Sequence, residues 1–353
     1  MLHLHTRHTD LKKYQLNQAR IRLTRRANVK GSEGMEELSK LAASSWQRTL
    51  KSSIRCSGVG LHTGDKISME LHPAAADTGV VFRRIDVAST NRDVPARYDH
   101  VGSTNMCTML VNADGVSVST VEHLMAALAG CEIDNVIVAL DGPEVPIMDG
   151  SAHPFVFLLK CAGVLEQNAP RRAIQILKHV AIGNDERWAT ITPADHFSMR
   201  CEIVFNNHAI GTQSFSYDSY STSFESELSQ ARTFCLAEDV EKMRAAGLAL
   251  GGSLENAVVI GEHGLLNKGG LRYDTEFARH KALDCIGDLN LAGATLLGHV
   301  ETYCAGHAMN HQLLAKLLAD EEAWRWTEMT AFVPNERSDA APQVRHAAVA
   351  ARA

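Results

Sequence analysis

Over Lys66–Leu71 apolar and polar residues alternate, with Ile67, Met69 and Leu71 on one face, the period-two signature of a strand. Phe197–Phe205 alternates in the same way through Met199, Cys201 and Ile203. Cys107–Val111 and the apolar run Ile133–Leu140 predict two more strands, the second buried. Between them, Val121, Leu124, Met125 and Leu128 recur at helical spacing. Pro143–Ser151 predicts a loop, and Pro154–Ala162 a helix with proline in its first turn. Leu165–Arg172 predicts a linker. Beyond it, strands are expected over Ala173–Ile182, Trp188–Thr192 and Phe197–Phe205, then a polar loop over Asn206–Ser223. Helices are expected over Glu238–Ala246, closed by Gly247, and over Thr275–Leu291 and His307–Leu318, with a short strand at Ala257–Ile260. Each half runs strands first and helices later. That order predicts an α+β protein of two layered domains, 46–168 and 169–333.

Two end segments stand outside this pattern. Met1–Lys30 holds eight Lys and Arg against one acid, Asp10. A transit peptide has this composition, and so does translated upstream sequence before a start at Met35. Residues 1–45 are therefore expected to be a disordered basic extension. After Pro334 the Ala-rich tail, 334–353, is expected to be loose, and its end offers a handle for a protease.

Length and charge narrow the class. A chain of 353 residues exceeds one typical core, which agrees with two domains. The net charge of -6 gives no reason to expect nucleic acid. Eight cysteines are scattered with no CxxC pair, so reduced thiols in a cytoplasmic protein are expected. No apolar run is long enough for a membrane helix, so stable membrane insertion is not expected.

Three constellations could carry chemistry. His280, Asp284 and Asp288 stand at i, i+4 and i+8 of the helix predicted from Thr275, on one stripe. Such a stripe can grip a metal ion, or it can be a solvated acidic face. Glu122-His123 opens the helix after Ser119. Ser119-x-x-Glu122 fits a capping box, while Glu beside His also fits a hydrolytic metal site. His307 follows Gly306 at a helix start, where the helix dipole disfavours its charge, and a lone histidine there is more often structural than chemical. Gly58–Gly64 (GVGLHTG) is glycine-rich, but its spacing and the strand after it exclude a dinucleotide fingerprint. Two His and one Asp with an open position would suit catalytic zinc, but spacing alone does not justify pooling them.

From about Gln47 to about Trp324 the sequence resembles the UDP-3-O-acyl-N-acetylglucosamine deacetylases of lipid A biosynthesis. The motifs are Gln47–Leu50 (QRTL), Gly58–Gly64, Ser119–His123 (STVEH), Pro146–Ser151 (PIMDGS), Ala231–Phe234 (ARTF), His280–Asp284 (HKALD), Ile286–Leu289 (IGDL) and Ala305–His307 (AGH). The resemblance implies two α+β sandwich domains with the site between them. It implies zinc held by His123, His280 and Asp284, Glu122 as general base and His307 as general acid. It further implies Asp288 as the carboxylate supporting His307, and Thr233 as a donor to the oxyanion. Lys281 and Phe234 match substrate contacts. Leu61, Met106, Cys107 and Phe205 fall where the family meets the acyl chain or nucleotide of its UDP-sugar substrate. Departures lie around the substrate: Cys235 and Leu236 replace Gly-Phe, and Asn207-His208 replaces His-Pro. A sugar-nucleotide sensor on the same fold would lose a proton-transfer residue, yet Glu122, His307 and the three ligands are all present.

Overall fold

The computed structural model describes residues 44–88 and 90–329. The tail 334–353 and residues 1–43 of the basic extension lie outside the described residues.

The first half is built on a five-stranded sheet in the order Ile54–Val59, Lys66–Pro73, Val136–Leu140, Val80–Arg84, Asp93–Pro95. Ile67, Met69 and Leu71 are buried, as their alternation requires. Helices α1 (Glu122–Gly130) and α2 (His153–Ala162) accompany this sheet, with a small sheet of Val101–Ser103, Met109–Val111 and Ser117–Val118. Seven consecutive residues of α1, Glu122 to Leu128, are buried. The helix is therefore enclosed on all sides rather than along the one stripe its sequence shows.

The second half holds a seven-stranded sheet at whose centre Thr295–Tyr303 pairs with Arg172–Ile176, Trp188–Pro193 and Ser198–Val204. Helices α5 (Glu276–Leu289) and α6 (His307–Ala319) pack beside it, with the short α3 (Phe224–Glu227) before them. A three-stranded sheet of Phe234–Leu236, Val258–Gly261 and Gly264–Leu265 carries α4 (Ala237–Ala245). The protein is α+β, as its pattern predicts.

Three local expectations need correction. Leu165–Arg172 is not a free linker, because Val164–Pro170 is a strand paired antiparallel with Trp46–Leu50. Its exposed face hides the alternation that a half-buried strand normally shows. Asn206–Ser223 is not all loop, because Thr212–Asp218 pairs along its whole length with Ser198–Val204. Serine and tyrosine suit a strand with one wet face, so polarity misleads there. Ala173–Ile182 is two strands, Arg172–Ile176 and Val180–Gly183, broken between them.

Candidate metal-dependent active site

The site exists because two helix backbones touch. A Cβ added at Gly287 would lie 2.0 Å from the Glu122 carbonyl oxygen, so only glycine lets α5 cross the start of α1 this closely. The crossing sets Glu122 and His123 beside His280 and Asp284. The His123 and His280 rings stand edge to face, centroids 4.9 Å apart.

The three expected ligands converge. His123 Nε2 is 3.5 Å and His280 Nε2 3.3 Å from the same oxygen, Asp284 Oδ1. Ligand atoms held at about 2.0–2.1 Å by one tetrahedral zinc stand roughly 3.3 Å apart. All three residues are buried, as is Asp288, so the solvated acidic face is excluded. Among the described residues, Asp284 Oδ1 and His123 Nδ1 are buried without a hydrogen-bond partner. A buried carboxylate oxygen left without a donor is costly, and a cation among these atoms removes the cost at Oδ1.

The surroundings fix these three side chains. His280 Nδ1 lies 3.0 Å from the Ala231 carbonyl, so Nδ1–H donates there and the Nε2 lone pair faces Asp284. Glu276, fully buried in the first turn of α5, accepts from the Arg232 backbone N–H and guanidinium and so ties that carbonyl's segment to the helix. Asp284 Oδ2 accepts from Lys281 Nζ at 2.8 Å. Burial pushes the His280 imidazole down to about 3, with Asp284 opposing, so it is a neutral donor. Burial works to raise the Asp284 carboxyl, but His280 and Lys281 beside it hold it well below the usual carboxylate range.

A second group adjoins the first. His307 Nδ1 is 2.9 Å from Asp288 Oδ2, and its Nε2 is 3.8 Å from Glu122 Oε1. Glu122 is not a cap: α1 begins with Val121 at the N-cap position and no side-chain cap. Its Oε2 instead accepts from the Thr108 N–H at 3.0 Å. Burial raises the Glu122 carboxyl above its ordinary value, against the pull of His307 and His123. Burial also opposes charge on His307, yet Asp288 and Glu122 outweigh it and push the imidazole up to about 10. Against the helix terminus, which disfavours charge on His307, the two facing carboxylates favour it.

Four residues that the sequence reading passed over belong here. Thr108 donates its hydroxyl to Asp288 Oδ1 at 2.6 Å, and Asn310 donates to Asp288 Oδ2 at 2.8 Å. Glu144 accepts from the backbone of His62 and Thr63 and from the hydroxyls of Thr63 and Thr120. It thereby ties down the Gly58–Gly64 turn; a Cβ at Gly60 would lie 2.4 Å from Glu144 Oε2. His62 is buried with Nε2 unpartnered, its pKa lowered by burial and by the charge of His307. Asn310 was within reach of a helical reading, at i+3 from His307. The other three meet their partners only across sheets and halves.

The model of the UDP-3-O-acyl N-acetylglycosamine deacetylase family matches residues 47–319. The chain belongs to this family. Family relatives named UDP-3-O-acyl-N-acetylglucosamine deacetylase include one from Pseudomonas entomophila, 52% identical over 79% of this chain and 92% of the relative. Another, from Idiomarina loihiensis, is 49% identical over 79% of this chain and 92% of the relative. A third, from Pseudoalteromonas atlantica, is 47% identical over 84% of this chain and 96% of the relative.

The residues expected to meet a family substrate are unevenly placed. The Phe234 ring lies 6.3 Å from that of His280 and takes Phe205 edge-on at 5.7 Å. Lys281 Nζ lies 5.7 Å from the Phe234 centroid, so Lys281, Phe234 and Phe205 stand together beside His280. Thr233 is held through its backbone by Gly150 and Val258. Met106 is exposed with φ +66°, whereas Cys107 is buried, its thiol pushed up to about 12 by burial and by Glu122. Leu61 sits on the Gly58–Gly64 turn, its carbonyl accepting from the Gly251 N–H.

Proposed function

We propose that the chain hydrolyses the N-acetyl group of UDP-3-O-acyl-N-acetylglucosamine in a zinc-dependent reaction of lipid A biosynthesis in the cytoplasm. The single observation that carries this reading is the buried His123, His280 and Asp284 cluster with Glu122 and His307 facing each other beside it. Family relatives named for this activity support the substrate. No helix among the described residues is long and apolar enough to cross a membrane.

His123, His280 and Asp284 would hold the zinc, and a donor set of two imidazoles and one carboxylate leaves the fourth position open. When bound, zinc supplies Lewis-acid polarisation of the amide carbonyl and of the attacking water. The chain's own groups supply the proton transfers. Glu122, which must be ionised, takes a proton from water as its oxygen bonds the acetyl carbon. The Thr233 hydroxyl donates to the developing oxyanion, an interaction of a kind worth about 2.7–4 kcal/mol. His307, held charged between Asp288 and Glu122, gives a proton to the amine nitrogen as the C–N bond breaks. Acetate and the free 2-amino sugar nucleotide result. Lys281 and Phe234 contact the substrate, and Leu61, Met106, Cys107 and Phe205 meet its acyl chain or nucleotide.

The experiment is metal analysis of untagged protein combined with product analysis. About one zinc per chain is expected, with acetate release lost to a strong chelator and restored by zinc. Full turnover of metal-free protein would sink the proposal.

A further inference from the structure

We propose that Thr108 is the positioning residue that keeps the base and the acid of this site in register, an inference that rests on the roles given above to Glu122 and His307. Thr108 is 2% exposed and bonds two different carboxylates. Its backbone N–H donates to Glu122 Oε2 at 3.0 Å, and its hydroxyl donates to Asp288 Oδ1 at 2.6 Å. The remaining oxygen of each carboxylate then faces one nitrogen of His307. Asp288 Oδ2 is 2.9 Å from Nδ1, and Glu122 Oε1 is 3.8 Å from Nε2. Thr108, Glu122, His307 and Asp288 thus close a ring of four residues.

The ring has a mechanical meaning. A carboxylate pinned at one oxygen can no longer rotate freely, so its other oxygen acquires a fixed direction. Glu122 belongs to α1, whereas Asp288 and His307 belong to α5 and α6 of the other half. Thr108 bonds Asp288 across 180 residues of sequence, so the first half positions the acid of the second. Asn310 and His307 share Asp288 Oδ2, which leaves Oδ1 to the Thr108 hydroxyl. Without that hydroxyl Asp288 can turn, and His307 loses the anchor that aims Nε2 at the leaving nitrogen. The bond to Glu122 comes from the backbone and survives any non-proline substitution. A side-chain change at Thr108 therefore isolates the Asp288 arm of the ring.

Thr108→Val keeps the shape and removes the hydroxyl, whereas Thr108→Ser keeps the hydroxyl and removes a methyl. Groups that orient metal ligands are typically worth about 10–100-fold, and by analogy Thr108→Val, which frees an orienter of the acid, is expected to lose kcat by about that much with KM and zinc content near those of the parent. Thr108→Ser should stay within a few-fold in kcat. If Thr108→Val does not fold, Thr108→Cys, whose thiol is a weak donor, takes its place and should show a partial loss. Turnover by Thr108→Val or Thr108→Cys equal to the parent overturns the proposal. So does a Thr108→Ser protein as slow as Thr108→Val, which would make the methyl packing, not the hydroxyl, the important part. Glu122→Gln and His307→Ala run in the same assay separate the two levels: if both keep full turnover, the assignment of base and acid fails, whatever Thr108 does.

Discussion

Glu122 stands where a helix cap and a general base are equally legible in the chain, since Ser119-x-x-Glu122 satisfies the capping pattern. The structure separates them, because the carboxylate turns away from the helix start and accepts from Thr108. Glutamine keeps an acceptor oxygen for that bond but cannot take a proton. We expect Glu122→Gln to retain fold and zinc while losing at least about 10²-fold in kcat. Turnover within a few-fold of the parent would remove Glu122 as the base. The pH profile follows from the same two residues. Glu122 is active when ionised, and its carboxyl is raised by burial, so kcat/KM should climb through a pH above the ordinary 4.5. His307 is active when charged, so the rate should fall as pH rises through its own value. The two carboxylates push that value from 6.5 up to about 10, and a bound dication brings it back down, so the alkaline limb should lie below about 10. His307→Ala should lack that limb; its persistence in the variant would assign it to another group.

The contact between α1 and α5 converts separate motifs into one site. Each helix was predictable from apolar spacing, and the His280–Asp284 stripe was predictable from i, i+4 geometry. Their crossing was not, because it depends on Gly287, a residue with no chemistry of its own, which the sequence shows only as one glycine inside a helical motif without naming what it approaches. With a Cβ placed 2.0 Å from a carbonyl oxygen, Gly287→Ala must push the helices apart. Overpacking in a closed interior costs typically about 1–3 kcal/mol, and a backbone clash belongs at the upper end. We expect a lower melting temperature together with reduced zinc content, since spreading α1 from α5 separates His123 from His280. A variant that melts normally and binds zinc normally would show that the crossing is more compliant than its geometry implies.

At the scale of the whole molecule, the family match begins at Gln47, and the first described strand, Trp46–Leu50, pairs with Val164–Pro170. A chain starting at Met35 keeps all of that pairing. It should show unchanged turnover and melting temperature, and a large loss in either would make the basic extension structural. The alternating strands, the apolar helices and the α+β class were legible in the chain, because burial of one face imposes a period that can be read locally. So were the residue types available for chemistry, and the resemblance of its motifs singled out His123, His280 and Asp284 as candidate ligands. Burial of His280, Asp284 and Asp288, the release of Glu122 from a capping role and the two carboxylates facing His307 came from the folded arrangement. It alone brought Thr108 to Asp288. These properties arise from burial and from contacts between residues far apart in the chain, and local periodicity carries no information about either.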